Sequence, residues 1–137
     1  MLVAMARVLG DAMSTDLLVV AREETLGEAA QKMSARGVGA ALVMHAGRLV
    51  GILTERDLLN AIASRVDASD ARVREWMTER PVTASKATPI GRAARIMVTQ
   101  GFRHLPVVDG ERAVGIVSLR DVVRATARIY PEYEDDD

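Results

Sequence analysis

The sequence has no cysteine, which closes off a disulfide framework and any thiolate nucleophile or metal ligand; that fits a reducing cytosol without requiring one. It also lacks any apolar run approaching the roughly 20 residues that cross a bilayer. The apolar opening from Met1 to Ala6 is far too short for the core of a secretion signal. Neither charge sign dominates: 18 Lys and Arg stand against 19 Asp and Glu, a formal net charge of −1 with a pI near 6.1. That balance argues against the broad phosphate-binding surface that non-specific nucleic-acid binding needs. The two histidines, His45 and His104, are not at metal-ligand spacing, and no glycine-rich phosphate loop of the Walker kind is present. Without a nucleophile, a metal set or an acid/base constellation, an enzyme has no support. The expectation is a soluble, cytoplasmic protein that neither spans a membrane nor binds nucleic acid.

What the sequence does have is a stretch written twice. Gly51-Ile52-Leu53-Thr54-Glu55-Arg56-Asp57 returns as Gly115-Ile116-Val117-Ser118-Leu119-Arg120-Asp121, an offset of 64. Laying residues 13–63 over 77–127 needs no gap and gives 15 identities in 51 columns. Chance matching in an Ala- and Val-rich composition would give roughly 4. Met13/Met77, Gly37/Gly101, Gly51/Gly115 and Asp57/Asp121 are among the pairs. A tandem repeat is the economical reading: residues 1–12 as lead-in to the first lobe, 13–66 as repeat 1, 67–72 as linker, 73–130 as repeat 2, and 131–137 as an acidic, disordered tail. Neither half alone would hold much of a core, so the pair is expected to fold together, with a candidate binding cleft where the lobes meet.

Within repeat 1, Leu17 to Ala21 reads as a short strand. Leu26, Ala29, Ala30 and Met33 fall at i, i+3, i+4 and i+7, one face of a helix that runs to about Arg36, and Gly37 stops it. Val38 to Met44 and Arg48 to Leu53 predict a hairpin of buried strands around His45-Ala46-Gly47, and Thr54 to about Arg65 a second helix. Repeat 2 follows suit, with Val82 to Ala84 as the short strand, Pro89 at the first helical position, and a two-residue Asp109-Gly110 or slightly longer turn closing the hairpin. Trp76 is expected to fill space between the lobes. The fold class is therefore α/β (α+β): two pseudo-symmetric β-α-β-β-α lobes.

In each copy a hydroxyl and, three residues on, a carboxylate stand where a strand enters a helix. A helix N-terminus presents unpaired N–H groups and partial positive charge, worth about 0.3 to 1 kcal/mol to a nearby anion. Thr54 and Ser118 add a hydroxyl there, while Asp57 and Asp121 can accept two hydrogen bonds from a cis-diol. The same spacing is also a capping box, in which the carboxylate merely bonds the cap residue's own amide. Arg56 and Arg120 are placed to meet a phosphate or simply to be solvated.

The doubled G-I-x-[T/S]-x-R-D, the element order, and Gly101-Phe102-Arg103-His104-Leu105-Pro106-Val107-Val108-Asp109 resemble the cystathionine beta-synthase (CBS) domain family, in the tandem pair called a Bateman module. The resemblance covers nearly the whole chain. It implies a regulatory module for adenosine-containing ligands (AMP, ADP, ATP, S-adenosylmethionine or a dinucleotide), a homodimer formed through the helices, and an unknown regulated protein. By it Asp57 and Asp121 bond ribose, and Thr54 and Ser118 lie near phosphate. Arg103 and His104, whose counterparts are Gly39 and Ala40, reach the ligand held by the other repeat's Asp57. Val19, Val38 and Ala40, with Thr83, Phe102 and Leu105, lie on strands that could line an adenine slot or pack in the core. The alternative function is a structural oligomerisation module with empty clefts.

Overall fold

The hydrophobic spacing that marks the helices also fixes where they stop, and the computed structural model, which describes residues 7–129 and side chains to Thr126, shows how. The expected acidic tail lies outside the described residues. The chain enters through one helical turn, α1 (Leu9–Ala12), and continues into β1 (Val19–Ala21), α2 (Leu26–Arg36), β2 (Ala40–His45), β3 (Arg48–Thr54) and α3 (Glu55–Ala63). A second single turn, α4 (Val73–Trp76), precedes β4 (Thr78–Glu79), α5 (Ile90–Gln100), β5 (His104–Asp109), β6 (Arg112–Ser118) and α6 (Leu119–Ile129). Gly37 and Gly101 close α2 and α5 in the left-handed region, at φ 64° and 77°, as their sequence positions predict.

The first compact unit in space is Asp16–Pro81. Its sheet runs β1-β2-β3-β4, with β1 parallel to β2 and the other pairs antiparallel. Leu26, Ala29 and Met33 of α2 pack with Val20, Ala41, Val43, Leu53 and Ala61 into one core. Each large aliphatic side chain fully buried there contributes about 1.5 to 3 kcal/mol of transfer free energy. Val43 sits on β2 where a register shift bends the strand before the two-residue turn Ala46-Gly47, both at positive φ.

The other unit joins residues 7–15 to 82–129. Its core places Ile90, Ala93 and Met97 of α5 against Leu105, Val107, Val117, Val122 and Ala125, and the deeply buried Leu9 of α1 completes it. The segment read as lead-in to the first repeat thus packs on the second. Reciprocally, Val73 of α4 belongs to the first unit's core, with Trp76 and Met77 packed against it, so Trp76 is part of one lobe's wall.

The repeated glycine of the motif now has a packing cause. A β-carbon on Gly51 would lie 2.6 Å from Met77 Sδ and 3.0 Å from the Thr78 carbonyl, and one on Gly115 would collide with Met13 Sδ and stand 3.1 Å from the Ser14 carbonyl. Each methionine opens the short edge segment that pairs beside that glycine: Thr78 is opposite Ile52 and Ser14 opposite Ile116.

Three expectations differ from the structure. Val82 to Ala84 forms no strand; only Ala84 bridges, to Val107, with amide and carbonyl bonded to β5. Pro89 is the N-cap of α5, not its first helical residue, and the preceding Thr88 hydroxyl accepts the Ser85 amide instead. The second hairpin turns on Gly110-Glu111, since Asp109 is paired with Arg112.

Candidate functional site

Both hydroxyl-x-x-carboxylate motifs sit at a strand-to-helix junction. Thr54 is the last residue of β3 and the extended N-cap of α3; Ser118 is the last residue of β6, directly before α6. Their neighbours across the hairpin are set by register: Ala40 lies opposite Thr54, and His104 opposite Ser118.

The carboxylates turn back on their own helix starts. Asp57 Oδ2 accepts the Thr54 amide at 2.8 Å and the Thr54 hydroxyl at 3.1 Å, and the Asp57 amide reaches Thr54 Oγ1 at 3.5 Å. Asp121 Oδ2 accepts the Ser118 amide at 2.7 Å, and the Asp121 amide donates to Ser118 Oγ at 3.1 Å. The capping role is real in both lobes. It employs one oxygen of each carboxylate, leaving Oδ1 of Asp57 and of Asp121 without a hydrogen bond among the described residues. Partial burial pushes the Asp57 carboxyl above the usual aspartate range, against the pull of the two Thr54 hydrogen bonds and the positive charge of Arg56.

The helix starts offer fewer free donors than the sequence suggests. The Glu55 amide is given to the Gly39 carbonyl at 3.0 Å and the Leu119 amide to the Arg103 carbonyl at 2.9 Å. With the Asp57 and Asp121 amides taken by hydroxyls, at most the amides of Arg56 and Arg120 remain among the first three of each helix. Gly39 and Arg103 act through their main chain, which no side-chain pattern reveals; their shared offset of 64 from one another was the available signal.

The remaining expected residues divide. Arg56, Arg120 and Arg103 are exposed, and His104 is half-buried. Val19 and Val38, 46% and 36% exposed, and Thr83 face solvent near the strand starts, and Ala40 is buried beside Thr54. Leu105 is completely buried in the core among Met97 and Val117, the core-packing alternative of its sequence reading, and Phe102 packs against the same cluster. A surface concavity of about 630 Å³, lined by Asp67, Asp70, Arg72, Arg74 and Trp76 among others, also includes Val66 beyond the far end of α3. Thr54 is at the other end of that helix, about 13 Å away along nine residues. Among the described residues no group of acidic or histidine side chains could hold a metal ion, and no helix is long and apolar enough to cross a membrane.

Comparison with known proteins matches the CBS domain model twice, over residues 9–64 and 73–128. An uncharacterized 17.7 kDa protein of Acidianus ambivalens is 35% identical over 85% of this chain and 71% of its own length. The CBS domain-containing protein YhcV of Bacillus subtilis is 33% identical over 82% and 80%. Among solved structures, the CBS-domain containing protein ATU1752 from Agrobacterium tumefaciens superposes with a TM-score of 0.83 at 34% identity, covering 89% of this chain and 95% of that one. The CBS domain pair of protein MJ0100, solved with 5'-methylthioadenosine and S-adenosyl-L-methionine, gives 0.81 at 27% identity over 87% and 98%. CBSX2 in complex with AMP gives 0.77 at 28% over 91% and 99%.

Proposed function

The chain belongs to the CBS domain family and carries the domain twice, and from that premise we propose that it is a regulatory, non-enzymatic module sensing an adenosine-containing ligand: AMP, ADP, ATP or S-adenosylmethionine. The observation that carries the reading is the uncommitted oxygen. Each capping box holds its aspartate in place by Oδ2 and leaves Oδ1 to accept from a ribose diol. Two relatives at 27% and 28% identity, solved with adenosyl compounds, support the ligand class. Asp57 and Asp121 take the ribose; Thr54, Ser118, Arg56 and Arg120 attend the phosphate. Val19, Val38, Ala40, Thr83 and Phe102 are the adenine-side residues kept in the proposal, with Leu105 given its core-packing role. Arg103 and His104 are assigned to the phosphate of the ligand on Asp57.

Thermal unfolding with AMP, ATP and S-adenosylmethionine tests this, since a ligand at 100 times its Kd stabilises the fold by about 2.7 kcal/mol. Asp57→Ala and Asp121→Ala should each remove one nucleotide equivalent in calorimetric titration; full stoichiometry in the double variant refutes the assignment. In Arg103→Ala/His104→Ala, weaker binding at the Asp57 site supports the crossed assignment, and weaker binding at the Asp121 site means that the pair serves its own lobe.

A second reading rests on the exposed apolar residues Leu59 and Ile62 of α3, 64% and 71% exposed, and Val123 of α6, 56% exposed. These suit a homodimer formed through the helices, in a cytoplasmic assembly whose sites stay empty. No thermal shift with any adenosyl ligand, together with a stable dimer in solution, favours it.

A further inference from the structure

The two candidate sites differ most at the first residue of the helix that follows each hydroxyl. Overlaid at the offset of 64, Thr54-Glu55-Arg56-Asp57 meets Ser118-Leu119-Arg120-Asp121, so the only change of charge is Glu55 against Leu119. Glu55 opens α3 and is exposed, and its carboxylate has no ion pair or hydrogen bond among the described residues. Leu119 is half-buried and packs on the core of its own lobe. The first turn of α3 therefore carries two carboxylates, Glu55 and Asp57, and that of α6 carries Asp121 alone. The hydroxyls differ in the same sense. Thr54 Oγ1 gives its proton to Asp57 at 3.1 Å, whereas Ser118 Oγ accepts the Asp121 amide and keeps its proton for an anion. The main chain makes no such difference, since the first amide of each helix goes to a carbonyl, of Gly39 or of Arg103.

We propose that Glu55 is the specificity-determining residue of the Asp57 site: its carboxylate turns that site against a nucleoside triphosphate and toward a monophosphate or a sulfonium nucleoside such as S-adenosylmethionine. The proposal rests on the adenosyl reading above and narrows it, because the Asp121 site, with Leu119 at the matching position, is left to the longer phosphate chain. The amide left for an anion at the start of α3 is that of Arg56, the residue next to Glu55. A phosphate settled there brings its charge within reach of the Glu55 carboxylate. Two exposed unit charges about 6 Å apart in water change an equilibrium about threefold, and each further phosphate adds to the opposition. A sulfonium reverses the sign and is attracted. A single phosphate remains compatible with Arg103 and His104, which are assigned to this ligand above. An acid at the first helical position also complements the helix dipole, which stabilises the fold without distinguishing one ligand from another.

Isotope-labelled full-length protein, titrated separately with AMP, ATP and S-adenosylmethionine, reads the two sites apart through the amide signals of Arg56 and Arg120. In Glu55→Gln, ATP should gain about threefold or more in affinity at the Arg56 signal and AMP less, while S-adenosylmethionine gains nothing or loses. Glu55→Lys should extend each change in the same direction. The titrations read at Arg120 should not move, and salt at about 1 M, where the screening length is about 3 Å, should erase the differences. Equal changes for all three ligands would reduce Glu55 to a helix-stabilising residue and overturn the proposal. Wild-type protein that binds none of the three defeats the adenosyl reading and this inference together, whereas binding whose ratios ignore the charge at position 55 defeats this inference alone.

Discussion

In the first lobe Thr54 gives its hydroxyl proton to Asp57, whereas in the second Ser118 accepts the Asp121 amide and has its proton left to donate elsewhere. The first lobe has Thr25 and Glu28 boxing the start of α2; the second has Pro89 and Arg92 at the matching positions of α5 and no side-chain cap. The first builds a three-residue β1, and the second reduces it to the Ala84 bridge. Yet the paired positions Val20/Val43 and Ala84/Val107, and Ile52/Thr78 and Ile116/Ser14, coincide at the offset of 64. The backbone frame is held in common while hydrogen bonding and charge have diverged, so the two sites should differ in strength more than in architecture.

The largest effects should come from the shared frame. Leu53 and Val117 are matched, fully buried core residues. Leu53→Ala should cost about 2 to 5 kcal/mol in urea unfolding. Val117→Ala should cost less by about 0.8 kcal/mol, for one carbon fewer removed. An equal or greater loss at Val117 would show that the second core is the tighter. Gly51→Ala and Gly115→Ala should each cost about 1 to 3 kcal/mol by overpacking against Met77 and Met13. Met77→Ala should recover part of the first loss and none of the second.

Smaller effects probe what has diverged. If Ser118 donates its free proton to a phosphate, Ser118→Ala should weaken AMP at that site by about tenfold or more, as loss of a hydrogen bond to a charged group does. Thr54→Val, whose hydroxyl is already engaged by Asp57, should weaken the first site less; calorimetry resolving the two sites decides the order. The smallest effect is one of pH. Burial raises the folded pKa of Asp57 above the ordinary aspartate value of 3.8, so the stability it confers is fully present below that value and is lost as pH rises through the folded pKa. Asp57→Asn keeps an acceptor for the Thr54 amide and removes the charge. The variant should therefore gain on the wild type as pH rises from about 3 to neutrality; a gap moving the other way would mean that the hydrogen bonds outweigh burial.

Much of the frame was legible because it is local. Apolar spacing plus a glycine in the left-handed region gives the bounds of α2 and α5 almost to the residue. The Ala84 segment was misread because strand character depends on partners: Val82 and Thr83 have the composition of a strand but no ladder. For Leu105 the sequence left slot and core both open, because a continuous apolar run hides which face looks inward; in the structure it is fully buried in the core. The motif itself could not separate cap from ligand site, since both need a carboxylate three residues after a hydroxyl. Only the atoms show that capping occupies one oxygen and spares the other.

The traded lead-ins bear on how far the molecule can be cut. Excising 16–63 would strip the first lobe of the Val73 plug and of the β4 edge that covers Gly51, and excising 82–129 would remove Leu9 and Ser14 from the second. Either half would expose an open sheet margin beside a hollow core.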